Sequence, residues 1–589
     1  MVENMKAIAF ERMTDEQWVE AAKASLRGLS FDNLITKTME GVDIYPLYTK
    51  ESIKQKEIHE QMCNIIRSTK FNMEWIIIQP SYKQDSKSFI KNVKAQLEDG
   101  NEAIMYDGRF PVEWKIDDLT ELAQLIKSYP LYVRYVNEDD DFYQLFELID
   151  ENSRYLVNGA IMNHSKSLPD GYENVRTISI NTVDIHNQGA DAVTELAVSL
   201  AMAAHKIGDV QSYESFAKRV IFHFAIDTHF FMEIAKLRAF RVLWHTFSKA
   251  YSKKCIPVPL YSETSLRTYS KIDPNVNMLR AGNEAFSAIL GGTDMLTVYP
   301  HTILTESTEA SERLARNIQL ILKEEMNIHY VSDPAGGSYY IDTLTKELVN
   351  QAWKLFLEIE AIGGYGKYVD SGKLTTRLQE QYDKQMQQIK TIDKTMVGTN
   401  KYADVTSNFD LGQPPANRTE VLRNADVTGN FDLSKGGIKI PRRFSEIYES
   451  FWSYFQKESL RVILLNFGSL QDIKSRADFV SGFLAAGGIK TEWSPSFSTV
   501  DEGMAWIQEQ SFDYGIICVP PVEAEKVVAQ FDTNITKNLW LDIAGNYGKE
   551  VEHHWQEYGI SGCIYKGLDQ IEKYAAIKNR WEEMKHGKA

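Results

Sequence analysis

Hydrophobic and polar positions fall into two regimes along this chain. From about residue 70 to 340, short β-rich runs recur: Trp75–Gln79, Ala103–Tyr106, Leu131–Val136, Thr177–Ile180, Ile256–Leu260, Met295–Tyr299 and Ile328–Val331. Stretches with apolar residues at helical spacing separate many of them, such as Ala192–Lys206 and Glu312–Glu325. Strands alternating with helices predict a parallel α/β fold, and a (β/α)8 TIM barrel fits the length. Residues 343–395 continue as helix, with Leu344, Leu348, Ala352 and Leu355 on one stripe. After residue 396 the periodicity stops among glycines and prolines. A near-repeat there, Ala403–Asp410 and Ala425–Asp432, is too short to build a solenoid.

From residue 459 the second regime is a clean alternation. Strands are predicted at Arg461–Leu465, Ile489–Trp493, Tyr514–Val519, Leu539–Ile543 and Ile560–Tyr565, with helices between them and a last helix from Asp569. About five such units predict a doubly wound, flavodoxin-like domain, whose ligands sit at the carboxyl ends of the strands. The loop Asn466–Leu470 is therefore where cofactor chemistry belongs. At the other end, Trp18, Ala22 and Leu26 form one helical stripe, facing either the chain's own core or a partner, with the core the default. The expected organisation is a helical extension at 1–40 as a candidate partner contact, a barrel at 41–395, a linker at 396–455 and the flavodoxin-like domain at 456–589.

A chain of 589 residues is too long for one core. The net charge of -16 argues against nucleic acid as a main partner, since phosphate binding needs a basic surface. Cys63, Cys255, Cys518 and Cys563 are far apart and form no CxxC pair, which disfavours a disulfide framework or a zinc site. With no signal-peptide pattern at the start and no long apolar run, a cytoplasmic location is expected.

Candidate chemistry is sparse. His553 and His554 are adjacent on a predicted helix, point about 100° apart and make a poor metal pair. The segment Asp333–Tyr340 holds glycines for tight turns and follows a predicted strand, which would place it at the active face of a barrel, either as a ligand loop or as a structural turn alone. Gly291–Gly292 reads as a helix C-cap. Asp184 and His186 follow the strand Thr177–Ile180 and offer a carboxylate and an imidazole for acid–base work or as plain loop residues. No phosphate-loop, GxSxG, HExxH or GxGxxG fingerprint stands in a convincing context.

Several segments resemble the methylmalonyl-CoA mutase family. They are Glu40–Thr49, Arg176–Ala190 with Ala192–Ala203 after it, Phe230–Trp244, Asn283–Asp294, Arg316–Glu325, Asp333–Ile341 and Glu360–Gly364, in the family's order. The resemblance spans nearly the whole chain and implies a substrate-type barrel joined to a cobalamin-type domain. The family interconverts methylmalonyl-CoA and succinyl-CoA with adenosylcobalamin as radical source. Its cobalamin domain carries Asp-x-His-x-x-Gly, the histidine ligating cobalt. Here Gln471, Ile473 and Arg476 stand at those positions, and the family's small Ser-x-Leu segment becomes Val519–Pro520–Pro521. The family's later glycine-rich loop is not evident near Asp542–Gly548.

The barrel shows matching losses. A substrate-contacting tyrosine–histidine pair maps to Val183 and Asp184. A second family tyrosine maps to Pro80, with Ile78 for its arginine and Gln79 kept. Tyr261 stands for a substrate-side histidine, while Thr264 and Ser265 are retained. Glu233, Arg238, Arg241 and Trp244 look structural. The resemblance thus implies no catalytic, cofactor or metal residue in this chain. It implies the family's small subunit, non-catalytic and paired with a homologous large subunit that holds adenosylcobalamin and the acyl-CoA. The alternatives are a divergent cobalamin-independent acyl-CoA enzyme using Asp184, Glu263 and Asp333, or a CoA-ester-binding regulatory protein.

Overall fold

The computed structural model describes residues 13–53, 56–137, 139–162, 168–210, 212–305, 307–406 and 443–587. It opens with a helix, Asp15–Ser25, capped by the Thr14 hydroxyl. None of its residues is buried, so its stripe does not face the chain's own core; Trp18 only meets Phe31 edge-on, 6.3 Å away. A small antiparallel hairpin follows, β1 (Thr36–Lys37) and β2 (Asp43–Ile44).

Nine short strands then build two parallel sheets. They are β3 (Ile76–Ile77), β4 (Ile104–Asp107), β5 (Leu131–Arg134), β6 (Gly159–Ile161), β7 (Val175–Arg176), β8 (Ile178–Asn181), β9 (Val220–Ile226), β10 (Leu260–Thr264) and β11 (Met295–Thr297). One sheet has the order β3-β11-β10-β9-β8, the other β4-β5-β6-β7. The two meet at both ends. Only Thr177 separates β7 from β8, and beyond β3 Pro80 bridges to Met105 in parallel register. One apolar cluster draws on both sheets: Ile78, Met105, Tyr132, Ala160, Ile221, Tyr261 and Met295. Helices cover the outer faces. Among them Phe230–Lys249 packs its aromatic side, including Phe240 and Trp244, against Phe222 of β9.

The predicted strands differ from the observed ones at identifiable places. Pro257 and Pro259 have no N–H for a ladder, so β10 starts only at Leu260 rather than at Ile256. Ile328–Tyr330 is a single 3-10 turn, not a strand, because Asn327 at φ 53° redirects the chain just before it. The Asp333 loop therefore does not follow a strand. β9 is buried at every position and carries no alternation for a sequence pattern to show.

The helices Tyr339–Ile362, Gly364–Asp370 and Lys373–Lys390 occupy the region predicted helical. Residues 407–442, with most of the near-repeat, lie outside the described residues. On either side the chain is built into cores: Asn400 donates to Ile389 O and Lys394 O, and the helix Glu446–Phe455 buries Tyr448, Trp452 and Phe455. The last five strands are β12 (Val462–Phe467), β13 (Thr491–Phe497), β14 (Tyr514–Cys518), β15 (Leu541–Ala544) and β16 (Ile560–Ile564). They form one parallel sheet in the order β13-β12-β14-β15-β16, sandwiched between helices. This sheet packs onto the first half through a shared cluster of Met386, Ile389 and Met396 with Tyr448, Trp452 and Tyr574. Among the described residues no helix is long and apolar enough to cross a membrane.

Gly159 opens β6 at φ +126°, and a Cβ there would lie 1.9 Å from Leu131 O. Neither the conformation nor the space admits a side chain. Gly159→Ala is expected to lower the unfolding free energy by at least ~3 kcal/mol in a urea titration.

Candidate functional site

Where ligands of parallel α/β sheets are expected, at the carboxyl ends of the strands, this chain places an ion cluster of its own. The alternation Leu131–Tyr132–Val133–Arg134 sets Tyr132 and Arg134 on one face of β5, and Asp107, the last residue of β4, is the register neighbour of Arg134. The Arg134 guanidinium donates to Asp107 at 2.9 Å, to the Tyr299 hydroxyl at 2.8 Å, to the Tyr261 hydroxyl at 3.2 Å, and to Glu263 of β10. Arg109 donates to Asp107 at 2.7 Å and to the same Tyr299 hydroxyl at 2.8 Å, with its guanidinium 4.6 Å over the Tyr135 ring. His223 of β9 completes the group, Nε2 lying 3.1 Å from Glu263.

All of these except Arg109 and Tyr135 are buried. Burial by itself would raise the Glu263 and Asp107 carboxyls. For Glu263 the Arg134 charge and His223 outweigh it, and for Asp107 the charges of Arg109 and Arg134 do, so both stay below the usual carboxylate range. Burial pushes the His223 imidazole down, so it stays neutral. Two guanidiniums then face two carboxylates, and the cluster has no net charge. An acid–base catalyst needs a group able to exchange a proton near neutral pH. Here the cations are permanently charged and the anions are pinned.

The positions singled out from the sequence scatter around this cluster. Tyr261 lies near the start of β10, buried, its hydroxyl shared with Thr297 at 2.8 Å. Pro80 is buried beside Met105. Val183 begins the short helix Val183–Asn187 and is buried. Asp184 is half-buried and adds to the burial that raises the Tyr135 and Tyr365 phenols. His186 turns inward, Nδ1 2.7 Å from Glu195 and Nε2 2.8 Å from the Ser265 hydroxyl, and burial followed by the charges of Arg267 and Lys236 keeps it neutral. The order Ser–His–Glu is that of a hydrolytic relay, but all three side chains are buried and Ser265 also accepts from the Arg267 amide. Asp333 pairs with Arg238 at 2.9 Å in the helical layer. Asp184 and Glu263 both bear on the Tyr135 phenol, while Asp333 is paired with Arg238. His553 and His554 are exposed. Gly291 caps the helix Pro274–Leu290, and Gly292 follows at φ +88°.

Arg134, Asp107, Arg109 and His223 were not legible as a group. The one signal was a charged residue at each strand end: the arginine in Leu131–Val136 and the aspartate after Ala103–Tyr106.

The strand-end crevice of the C-terminal sheet is filled in the same way. Gly468, at φ +114°, turns the chain after β12 so closely that a Cβ there would lie 3.3 Å from Pro520 and 3.6 Å from Ile473. Ile473 is fully buried in that contact. Arg476 reaches across to donate to Ala544 O at the end of β15 and to the Tyr547 hydroxyl at 3.3 Å. Gln471 points into solvent. An aliphatic side chain has no lone pair for cobalt, and the Arg476 guanidinium is engaged with Ala544 O and the Tyr547 hydroxyl. The residues present do not fit a cobalamin.

Two halves built on parallel sheets define a class: a parallel α/β protein whose own side chains pack at the ends of its strands. The methylmalonyl-CoA mutase family model matches residues 154–427. The small subunit of methylmalonyl-CoA mutase from Porphyromonas gingivalis is 28% identical over 571 residues, covering 89% of this chain and 90% of that one. The large subunit from the same organism is 36% identical over 237 residues, 38% of this chain and 33% of that one. A methylmalonyl-CoA mutase from Cereibacter sphaeroides is 29% identical over 66% of this chain and 64% of its own length. The chain is thus similar to the methylmalonyl-CoA mutase family, through residues 154–427 by the family model and through most of its length by the small-subunit relative.

Removing Arg134 leaves the buried Glu263 carboxylate without a cationic partner, while Asp107 keeps Arg109. Arg134→Met is expected to cost about 3–5 kcal/mol in thermal or urea unfolding, and Arg134→Met combined with Glu263→Gln to recover part of that loss. Because the Glu263 carboxyl is held below its ordinary 4.5, its contribution is full above that pH and is lost as pH falls through the lower folded value. Glu263→Gln should therefore flatten the acid limb of the stability curve below pH 4.5. Burial raises the Glu233 carboxyl to about 8 against the opposing charge of Lys236, so stability there runs the other way. The wild-type chain should lose stability relative to Glu233→Gln as pH rises from 4.5 to about 8, by up to about 1.4 kcal/mol per pH unit.

Proposed function

We propose that this chain is the non-catalytic small subunit of a heterodimeric, adenosylcobalamin-dependent methylmalonyl-CoA mutase, stabilising or tuning a homologous large subunit that performs the isomerisation. The observation that carries this is the double filling of the ligand positions. Arg134, Asp107 and Glu263 satisfy one another at one centre, and Ile473, Pro520 and Arg476 close the other. Buried partners meanwhile hold the scaffold: Arg241 binds Thr69 O, Val258 O and Asp294, and Trp244 binds Ile256 O.

In this reading the two sheets of the first half are arcs of one eight-stranded (β/α)8 barrel. The β7–β8 continuity, the Pro80–Met105 bridge and the apolar cluster shared by both sheets support it. The strand order of the C-terminal sheet supports a flavodoxin-like domain. Similarity to both the small and the large subunit of one organism supports a large-subunit partner. The N-terminal extension is the proposed contact, since Met13, Leu29 and Leu34 are 66%, 64% and 37% exposed. The cytoplasm is the proposed location. The pairing of Glu263 with Arg134 and of Asp333 with Arg238 disfavours a free-standing acyl-CoA enzyme.

The test is co-expression with the longer homologue bearing Asp-x-His-x-x-Gly. The two chains are expected to copurify one to one. This chain alone should give neither a shifted cobalamin absorption spectrum nor turnover of methylmalonyl-CoA. Cobalamin-dependent turnover by this chain alone would overturn the proposal. Deleting residues 1–40 should weaken the complex at least tenfold, about 1.4 kcal/mol, while leaving the melting temperature of the single chain unchanged.

A further inference from the structure

His59 and Cys63 lie one turn apart on the helix Lys56–Ser68, and the same face carries the buried Met62 and Ile66. That face meets the first turn of Tyr339–Ile362, where Asp342 is buried. His59 Nε2 is 2.8 Å from Asp342 Oδ2 and 3.6 Å from Cys63 Sγ, and the three atoms lie within 4.8 Å of one another. Among the described residues this is the one cluster of three metal-type donors. The absence of a CxxC pair gave no hint of it, because the third donor comes from a helix almost three hundred residues away.

We propose that His59, Cys63 and Asp342 bind a zinc-class divalent cation that clips the helix Lys56–Ser68 to the helix Tyr339–Ile362. The donor set is a thiol, an imidazole and a carboxylate, which suits zinc and its analogue cobalt(II) and not calcium or magnesium. The carboxylate is already oriented. Arg238 donates to Asp342 Oδ1 at 2.7 Å and the Gly337 amide donates to Oδ2 at 3.0 Å. Asp333 in turn holds Arg238 through Nε at 2.9 Å and Nη2 at 3.0 Å. Such outer partners fix ligand geometry in metal sites generally.

The charge also balances. Asp333 and Asp342 against Arg238 leave one negative charge, a Cys63 thiolate makes two, and a divalent cation cancels them. Binding forms a bond from Cys63 Sγ to the metal and releases the thiol proton to solvent. The imidazole proton moves to Nδ1 so that Nε2 can ligate. Burial, and then Asp342, raise the Cys63 thiol, so affinity should fall as pH is lowered. The His59 side chain keeps 20% of its surface exposed, which gives an ion its way in and water the fourth position.

The full-length chain would be stripped with chelator, then titrated with cobalt(II) and with zinc. The expected result is one ion per chain, with the intense near-ultraviolet band of a cobalt–thiolate bond and a raised melting temperature in zinc. Cys63→Ser should abolish the band and the thermal shift, His59→Gln should weaken binding at least tenfold, and Cys255→Ser should change nothing. Asp342 is left intact because Arg238 depends on it. Binding that survives Cys63→Ser unchanged, or no binding by the wild-type chain, would overturn the proposal; in that case the cluster is a hydrogen-bonded helix contact only. The measurement needs no partner subunit, so its outcome is independent of the function proposed above.

Discussion

A guanidinium with almost no access to water governs the centre of this molecule. Transferring a bare charge from water into a protein interior costs several kcal/mol even after relaxation, so Arg134 can sit there only with its donors satisfied. It donates to Asp107 and to two tyrosine hydroxyls, and pairs with Glu263 across the gap between the two sheets. That constraint ties β4 and β5 to β10. Within the cluster, Arg109, Arg134, Asp107 and Glu263 each face an opposite charge.

The helical layer follows the same logic. Arg238 and Arg241 run side by side on Phe230–Lys249 and each is fully paired inside the fold, Arg238 with Asp333 and Asp342, Arg241 with Asp294 and three backbone carbonyls. Nearby, Lys236 lies between Glu195 and Glu233, and the burial that raises both carboxyls leaves the group sensitive to pH over a range where the central cluster is inert. The same scaffold thus holds two kinds of buried polarity. One is neutral and fixed, and the other is short of cations and therefore titratable.

The C-terminal half is filled by different means. The usual opening beyond the strand ends is closed by an aliphatic side chain, a proline and an arginine that caps the carbonyl of Ala544. Apolar packing does there what ion pairing does in the first half. In both halves the strands, helices and glycine turns of a ligand-binding architecture survive, and the side chains that would have met a ligand meet one another.

Much of this was written in the sequence. Period and spacing determined the alternation of strands and helices, because side-chain burial repeats every two or every 3.6 residues whatever the distant contacts are. The identities of Gln471, Ile473 and Arg476 set the expectation that these positions offer cobalt no imidazole, because the chemistry of a side chain is fixed by its identity. Where local rules conflict with burial, the sequence was silent. β9 is buried throughout and shows no period, and Ile328–Tyr330 has strand-forming residues but follows Asn327 at φ 53°, which redirects the chain. Only the tertiary structure decided that Arg134 meets Glu263, that Asp184 and His186 point to different surroundings, and that Cys63 lies against His59 and Asp342. The contacts of Arg134 with Glu263, of His186 with Ser265 and of His59 with Asp342 join residues 129, 79 and 283 positions apart, and their energies come from burial and side-chain direction, which no local pattern encodes.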